Sequence, residues 1–345
     1  MKLLVNREQR GRFNKMKTRW YTITVDTEEE WEWSSGYPTH SQSVSNIQAL
    51  PRFHQACSDR GVPVTYFTNH TVLSQPETRS VMQRIHATGM AEIGLHIHPW
   101  NTPPLAPKAA VPIRQSFLAN LPREEALAKL DAVYESFESS NLPIPTSYRG
   151  GRYSTSPWIQ EYLVQKGCRA DASILPYTTW IDDGAPDFRD RDPLPVRRFE
   201  PGWRNALWEI PLTLAFTRRP WGWWRWLYQL GEKSPWRELR CIGIAERLFV
   251  RRIWINLEHD LGERATDLLS VIRKTDLPHV NITLHSSSLK ALCSTYSATS
   301  DDVERIYRRL DAILTHLQRW PEFEPVTISD LATKLESSYH ANTRN

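Results

Sequence analysis

The chain has 345 residues, of which 40% are hydrophobic, and a net charge of +4. That is enough apolar material for one large core, so a single domain is expected, and an α/β barrel is an ordinary solution at this size. The four cysteines, Cys57, Cys168, Cys241 and Cys293, are far apart and form no CxxC pair, which argues against a zinc ribbon or disulfide scaffold and for free core thiols. No run approaches the ~20 apolar residues of a membrane span, and the first residues lack a signal-type apolar stretch, so the chain reads as cytoplasmic.

In chain order, residues 1–17 read as a basic extension, 18–335 as the body and 336–345 as a tail. Short β-branched runs predict strands at WYTITVD (20–26), VPVTYFT (62–68), AEIGLHI (91–97), TSYRG (146–150), RADASIL (169–175), LWEIPLT (207–213) and VNITLHS (280–286). Helical spacing fills 43–61, 76–89, 122–140 and 156–167, and three of these segments end in a glycine that serves as a stop. Strands alternating with helices make a mainly parallel sheet, and about seven such units predict a distorted (β/α) barrel. Active groups of parallel α/β folds gather at the carboxyl ends of the strands. Asp26 ends the first run, His96 and His98 the third, Arg149 the fourth and His285 the last.

Each of these has its own chemistry. In an extended segment, side chains at i and i+2 share a face, so His96 and His98 can converge on one ion. A catalytic divalent site needs about three protein ligands plus water. TVDTEEEW (24–31) sets Asp26 and Glu28 at the same i, i+2 spacing, so one carboxylate can bind a metal while the other takes a proton from bound water. Glu29 and Glu30 add further acids at this strand end.

Asp26 and Glu28 in TVDTEE, EIGLHIHPW, SYRGGRYS (147–154), the DASI step (171–174) and ITLHSSSL (282–289) together resemble, in that order, the successive motifs of the polysaccharide deacetylases, the NodB-homology group of carbohydrate esterase family four. The resemblance covers about residues 18–335 and implies a distorted barrel that removes an acyl group, usually acetyl, from an amino sugar. It makes Asp26 the general base, Glu28 a metal ligand and His96 the first histidine ligand. Arg149 would hold Asp26 by a charge-assisted hydrogen bond, and His285 would be the general acid that protonates the leaving amine. The implied cofactor is a divalent metal of the zinc type. The chain departs from the usual pattern twice: Thr27 separates the acids, and position 100, where a second histidine is common, is Trp. His98 must then replace that ligand, with His70 in FTNHTVL as the alternative.

Residues 214–252 hold nine Arg or Lys against three Glu, a local charge of +6 that leaves −2 for the rest. Within this insertion RRPWGWWRWLYQL (218–230) packs Trp221, Trp223, Trp224 and Trp226 beside Arg218, Arg219 and Arg225. Indole next to guanidinium suits a membrane interface and a lipid-linked glycan, stacking on sugars, or a helix with its indoles inside. Trp100, Tyr177 and Trp180 are candidates for lining a substrate groove formed by loops 99–118 and 176–206. No nucleic-acid motif is present. Two rival readings remain: a degenerate deacetylase fold that only binds glycan or membrane, and an amidohydrolase barrel, which normally carries HxH on its first strand.

Overall fold

The computed structural model describes residues 18–30, 36–40, 43–198, 206–232, 236, 242–243, 246, 249–259 and 264–341. The expected extension 1–17, part of the basic insertion (Lys233, Arg237, Arg240, Cys241 and Arg247) and residues 342–345 lie outside the described residues.

The strands are β1 (Arg19–Thr27), β2 (Tyr37–Pro38), β3 (Val64–Thr68), β4 (Ala91–Ile97), β5 (Ala110–Val111), β6 (Ser147–Gly150), β7 (Ala170–Asp171), β8 (Val196–Arg198), β9 (Leu207–Glu209), β10 (Leu214–Phe216), β11 (Arg252–Trp254), β12 (His279–His285) and β13 (Phe323–Pro325). One nine-stranded sheet runs β12-β1-β3-β4-β6-β7-β9-β8, with β13 also on β1. Its pairings are parallel except β8 on β9. The sheet curls, and the segments around β10 and β11 bridge its ends: Ile255 N–H donates to Thr213 O, and Leu257 N–H donates to Thr283 O on β12. This is the distorted barrel expected from the alternation of elements. The largest shortfalls against the expected strands are at β7 and β9. Pro211 lies inside the second of these runs, and proline has no amide to donate to a ladder.

The helices are α1 (Leu50–Ser58), α2 (His70–Ser74), α3 (Pro76–Ala87), α4 (Arg123–Ser139), α5 (Pro157–Gln165), α6 (Trp221–Gly231), α7 (Arg264–Arg273), α8 (Ser300–Gln318) and α9 (Ile328–Ala341). A Thr299/Asp302 capping box starts α8, which buries Val303, Ile306, Leu310, Ile313, Leu314 and Leu317 along one stripe. Helix α9 runs through the expected boundary at 335/336. There Glu336 accepts from Arg197 Nη2 at 2.8 Å and from Trp208 Nε1 at 2.9 Å, so this part of the tail is tied to β8 and β9.

At the floor of the barrel, the Glu92 carboxylate on β4 accepts from Thr65 Oγ1 at 2.9 Å, Ser147 Oγ at 2.5 Å and the Ser329 backbone N–H at 3.1 Å. One side chain thus satisfies donors from two neighbouring strands and from the start of α9, so this half-buried carboxylate has its partners.

Helix α6 has two different faces. Trp221, Trp224 and Tyr228 turn inward onto a small core of Leu175, Tyr177, Phe216 and Val250, and Trp221 Nε1–H donates to Phe216 O at 2.9 Å. Trp223 and Trp226 face outward, 48% and 55% exposed. The four tryptophans therefore divide evenly between a packing role and the surface. Among the described residues no helix is long and apolar enough to cross a membrane.

Candidate active site and metal centre

The parallel register brings the strand-end groups together: Asp26 on β1 lies beside His285 on β12, and His96 on β4 lies beside Arg149 on β6. Because all four occur at carboxyl ends, their side chains share the mouth of the barrel. Asp26, Glu28, Glu29, His96, His98 and Arg149 are all buried there.

Glu28, His96 and His98 form the cluster able to hold a metal ion among the described residues. Glu28 Oε2 is 3.2 Å from His96 Nε2 and 2.9 Å from His98 Nε2, and the two ring nitrogens are 3.1 Å apart. A tetrahedral ion bound at ~2.0–2.1 Å spaces its ligand atoms by about 3.3 Å, so the three distances fit one face of such a site. The rings are also oriented for it. His96 Nδ1 meets Arg149 O at 2.8 Å and His98 Nδ1 meets Glu29 Oε1 at 2.6 Å. Each acceptor draws the proton to Nδ1 and puts the neutral ring's lone pair on Nε2, the arrangement of metal-ligating histidines. Two imidazole nitrogens and one carboxylate oxygen are the donor set of a zinc-class ion.

Burial works against charge on Glu28, but His98 and His285 outweigh it and hold its pKa below the usual carboxylate range. Burial likewise opposes charge on His98, and Glu29 and Glu28 overcome it, lifting that ring to about 10. The pocket is thus built to hold positive charge.

Around the cluster, Glu29 accepts from Asn101 Nδ2 at 2.6 Å and Asn69 Nδ2 at 2.5 Å. Trp100 stacks on His98, with ring centroids 4.2 Å apart and an interplanar angle of 19°. The tryptophan where a histidine is common therefore braces the His98 ring two positions earlier. Gly151 packs where a Cβ would collide with Ile97 O and come within 2.6 Å of His98 Cδ2. His70 lies elsewhere, its Nδ1 2.7 Å from Ser136 Oγ.

Beside the cluster, Arg149 Nη1 donates to Asp26 Oδ1 at 2.6 Å. The guanidinium is completely buried, rests on the Phe67 ring at 4.5 Å and also donates to Thr24 Oγ1 and Ala172 O. Asp26 Oδ2 is 3.9 Å from His285 Nε2. His285 Nδ1 is 2.9 Å from Glu258 Oε2, and Glu258 also accepts from the His285 backbone N–H, Asn256 Nδ2 and Ser288 Oγ. Burial lowers the His285 pKa, but Glu258, Glu28 and Asp26 prevail and raise it to about 10.

Sequence reasoning assigned no role to Glu258, Glu29 or Tyr153. The usable signal for Glu258 was a lone acid closing the strand-like run RRIWINLE (251–258). Tyr153 adopts φ 61° after Arg152 at φ 52°, a left-handed pair that bends the chain back over the site. Burial, reinforced by Asp26, raises its phenol well above the usual range. Of the proposed groove residues, Trp180 stacks on Tyr153 at 5.2 Å, whereas Trp100 and Tyr177 are buried in packing. Asp171 of the DASI step is held by Thr155, Gln160 and the Ser173 N–H, away from the ion cluster.

A separate cleft of about 260 Å³ opens between the start of α6 and Thr275–Leu277. Leu277 precedes β12 by two residues and so lies at the opposite end of that strand from His285. The buried carboxylate and imidazole groups mark the chemical site better than cavity size does.

No protein-family model and no curated protein matches the sequence. Solved structures match the fold. A Mycobacterium smegmatis protein named a polysaccharide deacetylase superposes with TM-score 0.54 at 12% identity, covering 93% of this chain and 92% of that one. One of the same name from Pseudomonas aeruginosa PAO1 gives 0.51 at 14% identity, with 92% and 91% covered. The Puue allantoinase gives 0.50 at 13% identity, with 94% and 91% covered. The chain has the fold of the polysaccharide deacetylases.

Proposed function

We propose that the chain is a metal-dependent hydrolase that removes an acyl group, N-acetyl in the first instance, from an amino sugar of a polysaccharide or a lipid-linked glycan. The observation that carries this reading is the convergence of Glu28, His96 and His98 within hydrogen-bond distance of one another, flanked by the Arg149–Asp26 and Glu258–His285 pairs.

Glu28, His96 and His98 would hold the ion. When bound, a divalent ion of the zinc class lowers the pKa of its water and polarises the acyl carbonyl. Asp26 is the general base: Arg149 occupies Oδ1 and leaves Oδ2 to take the water's proton. His285 is the general acid. With its Nδ1–H on Glu258, its second proton sits on Nε2, from which it passes to the departing nitrogen. An amide nitrogen is a poor leaving group until protonated, so this step needs an acid in place. Base and acid face each other across 3.9 Å, so one gap serves both transfers.

Acetate release from N-acetylated sugars, polymeric and lipid-linked, measured with and without chelator, tests the proposal. Release is expected to stop with chelator and to fall by about 10²–10⁴-fold in Asp26→Asn, the usual worth of a general base. Undiminished turnover in that variant refutes the mechanism.

A further inference from the structure

We infer that the outward face of α6 is a docking surface for an anionic phospholipid bilayer. At about 100° per residue, Trp223, Trp226 and Leu230 fall within one arc of roughly 60°, opposite the inward Trp221, Trp224 and Tyr228. Trp223 and Trp226 are 48% and 55% exposed, and later in the chain Trp236 and Phe249 are 45% and 56% exposed. A surface helix normally turns charged residues to water. This one contains no acidic residue and is apolar on both faces.

The charge pattern selects the occupant. Arg218 and Arg219 are exposed immediately before the helix, in a segment whose net charge is +6. Indole with its polar N–H, bordered by guanidinium, matches the headgroup layer of an anionic membrane.

The helix is also braced against the barrel mouth. Tyr153 and Trp180 pack on the same small core as Trp221 and Trp224, and Tyr153 feels the charges of Asp26 and Glu28. A surface held at the membrane by Trp223 and Trp226 would therefore hold the catalytic mouth near it, which suits an amino sugar carried on a lipid. That last step rests on the hydrolase reading, whereas the docking surface does not.

The test is sedimentation of the full chain with phosphatidylcholine vesicles, with and without phosphatidylglycerol, at low and high salt. Wild type should partition onto the anionic vesicles, with less bound at high salt. Trp223→Ser/Trp226→Ser should lose about tenfold or more. Arg218→Gln/Arg219→Gln should lose about 30-fold, the worth of two cations at an anionic surface. Thermal unfolding and zinc content of each variant show that the barrel is intact. Equal binding by wild type and the tryptophan variant overturns the inference. So does an absence of vesicle binding by wild type, whether the face then proves to be covered by a second copy of the chain or to bind soluble glycan. Vesicle binding without acetate release would sink the hydrolase reading alone, and acetate release without vesicle binding would sink the docking surface alone.

Discussion

Replacing Glu258 with Gln tests whether the acid role of His285 depends on a buried charge. The Gln amide oxygen can still accept the Nδ1–H, so the ring's orientation is retained while the negative charge is lost. In the native protein His285 stands at about 10, raised by Glu258 first among its neighbours. Removing an opposite charge at hydrogen-bond distance lowers a pKa by one to three units. Taking about two, the basic limb of kcat/KM moves from near 10 to near 8. At pH 9 the protonated fraction then falls from about 0.9 to about 0.1, a loss of roughly ninefold, while at pH 7 it hardly changes. A bound dication lowers the limb in both proteins, so the difference between them is the observable. The sign of the stability effect follows. A histidine raised in the folded state stabilises it below the unfolded pKa of 6.5, and the contribution fades as pH rises toward about 10. The stability gap between wild type and Glu258→Gln should therefore hold up to about pH 8 and narrow from there to about pH 10. Superimposable basic limbs, or an equal loss at pH 7 and pH 9, would refute the reasoning.

His98→Ala should abolish near-stoichiometric zinc binding, and Glu29→Gln should weaken it by about 10–100-fold through the hydrogen bond to Nδ1, as read by chelator competition; an unchanged affinity in Glu29→Gln excludes that support. Gly151→Ala forces a methyl against Ile97 O and His98, so zinc affinity should drop in a protein that still unfolds cooperatively, and unaltered affinity would show that the contact yields. His279 is buried with its pKa pushed down to about 4, and its Nε2–H donates to Pro211 O. A histidine kept neutral stabilises the fold above 6.5, so as pH falls from 6.5 to about 4 wild type should lose about 3 kcal/mol more than His279→Gln in urea titrations. Parallel pH profiles for the two proteins would count against this.

The residues legible in the sequence were those whose position follows from a strand period. Asp26, His96, Arg149 and His285 each close a β-branched run, and parallel pairing alone puts them at one edge. Glu258 follows no such rule, because it closes a short bridging segment that meets β12 only once the sheet curls. Glu29 was visible as an extra acid, but its partner was not. β1 ends at Thr27, so the strict alternation of strand faces stops and Glu28 and Glu29 approach His98 from two sides. Helices α7, α8 and α9 went unpredicted although α8 has both a capping box and a continuous apolar stripe. Helix α7 lies between two strand runs, whereas α8 and α9 follow the last of them, beyond the reach of a strand–helix alternation, and the boundary expected at 335/336 falls inside α9. The Trp-rich stretch was ambiguous for a physical reason: a helix apolar all round carries no phase from which to tell its inner face.

Two atoms of the cluster able to hold a metal come from positions 96 and 98 of one chain segment, and the third from just past the end of β1. Their spacing is thus a property of extended backbone. The loop from 103 onward supplies none of them, and its residues 105 and 107–110 are exposed. On the hydrolase reading proposed above, substrate preference can drift through that loop across generations of sequence change without disturbing the chemistry beneath it, which makes this barrel mouth a readily evolvable one.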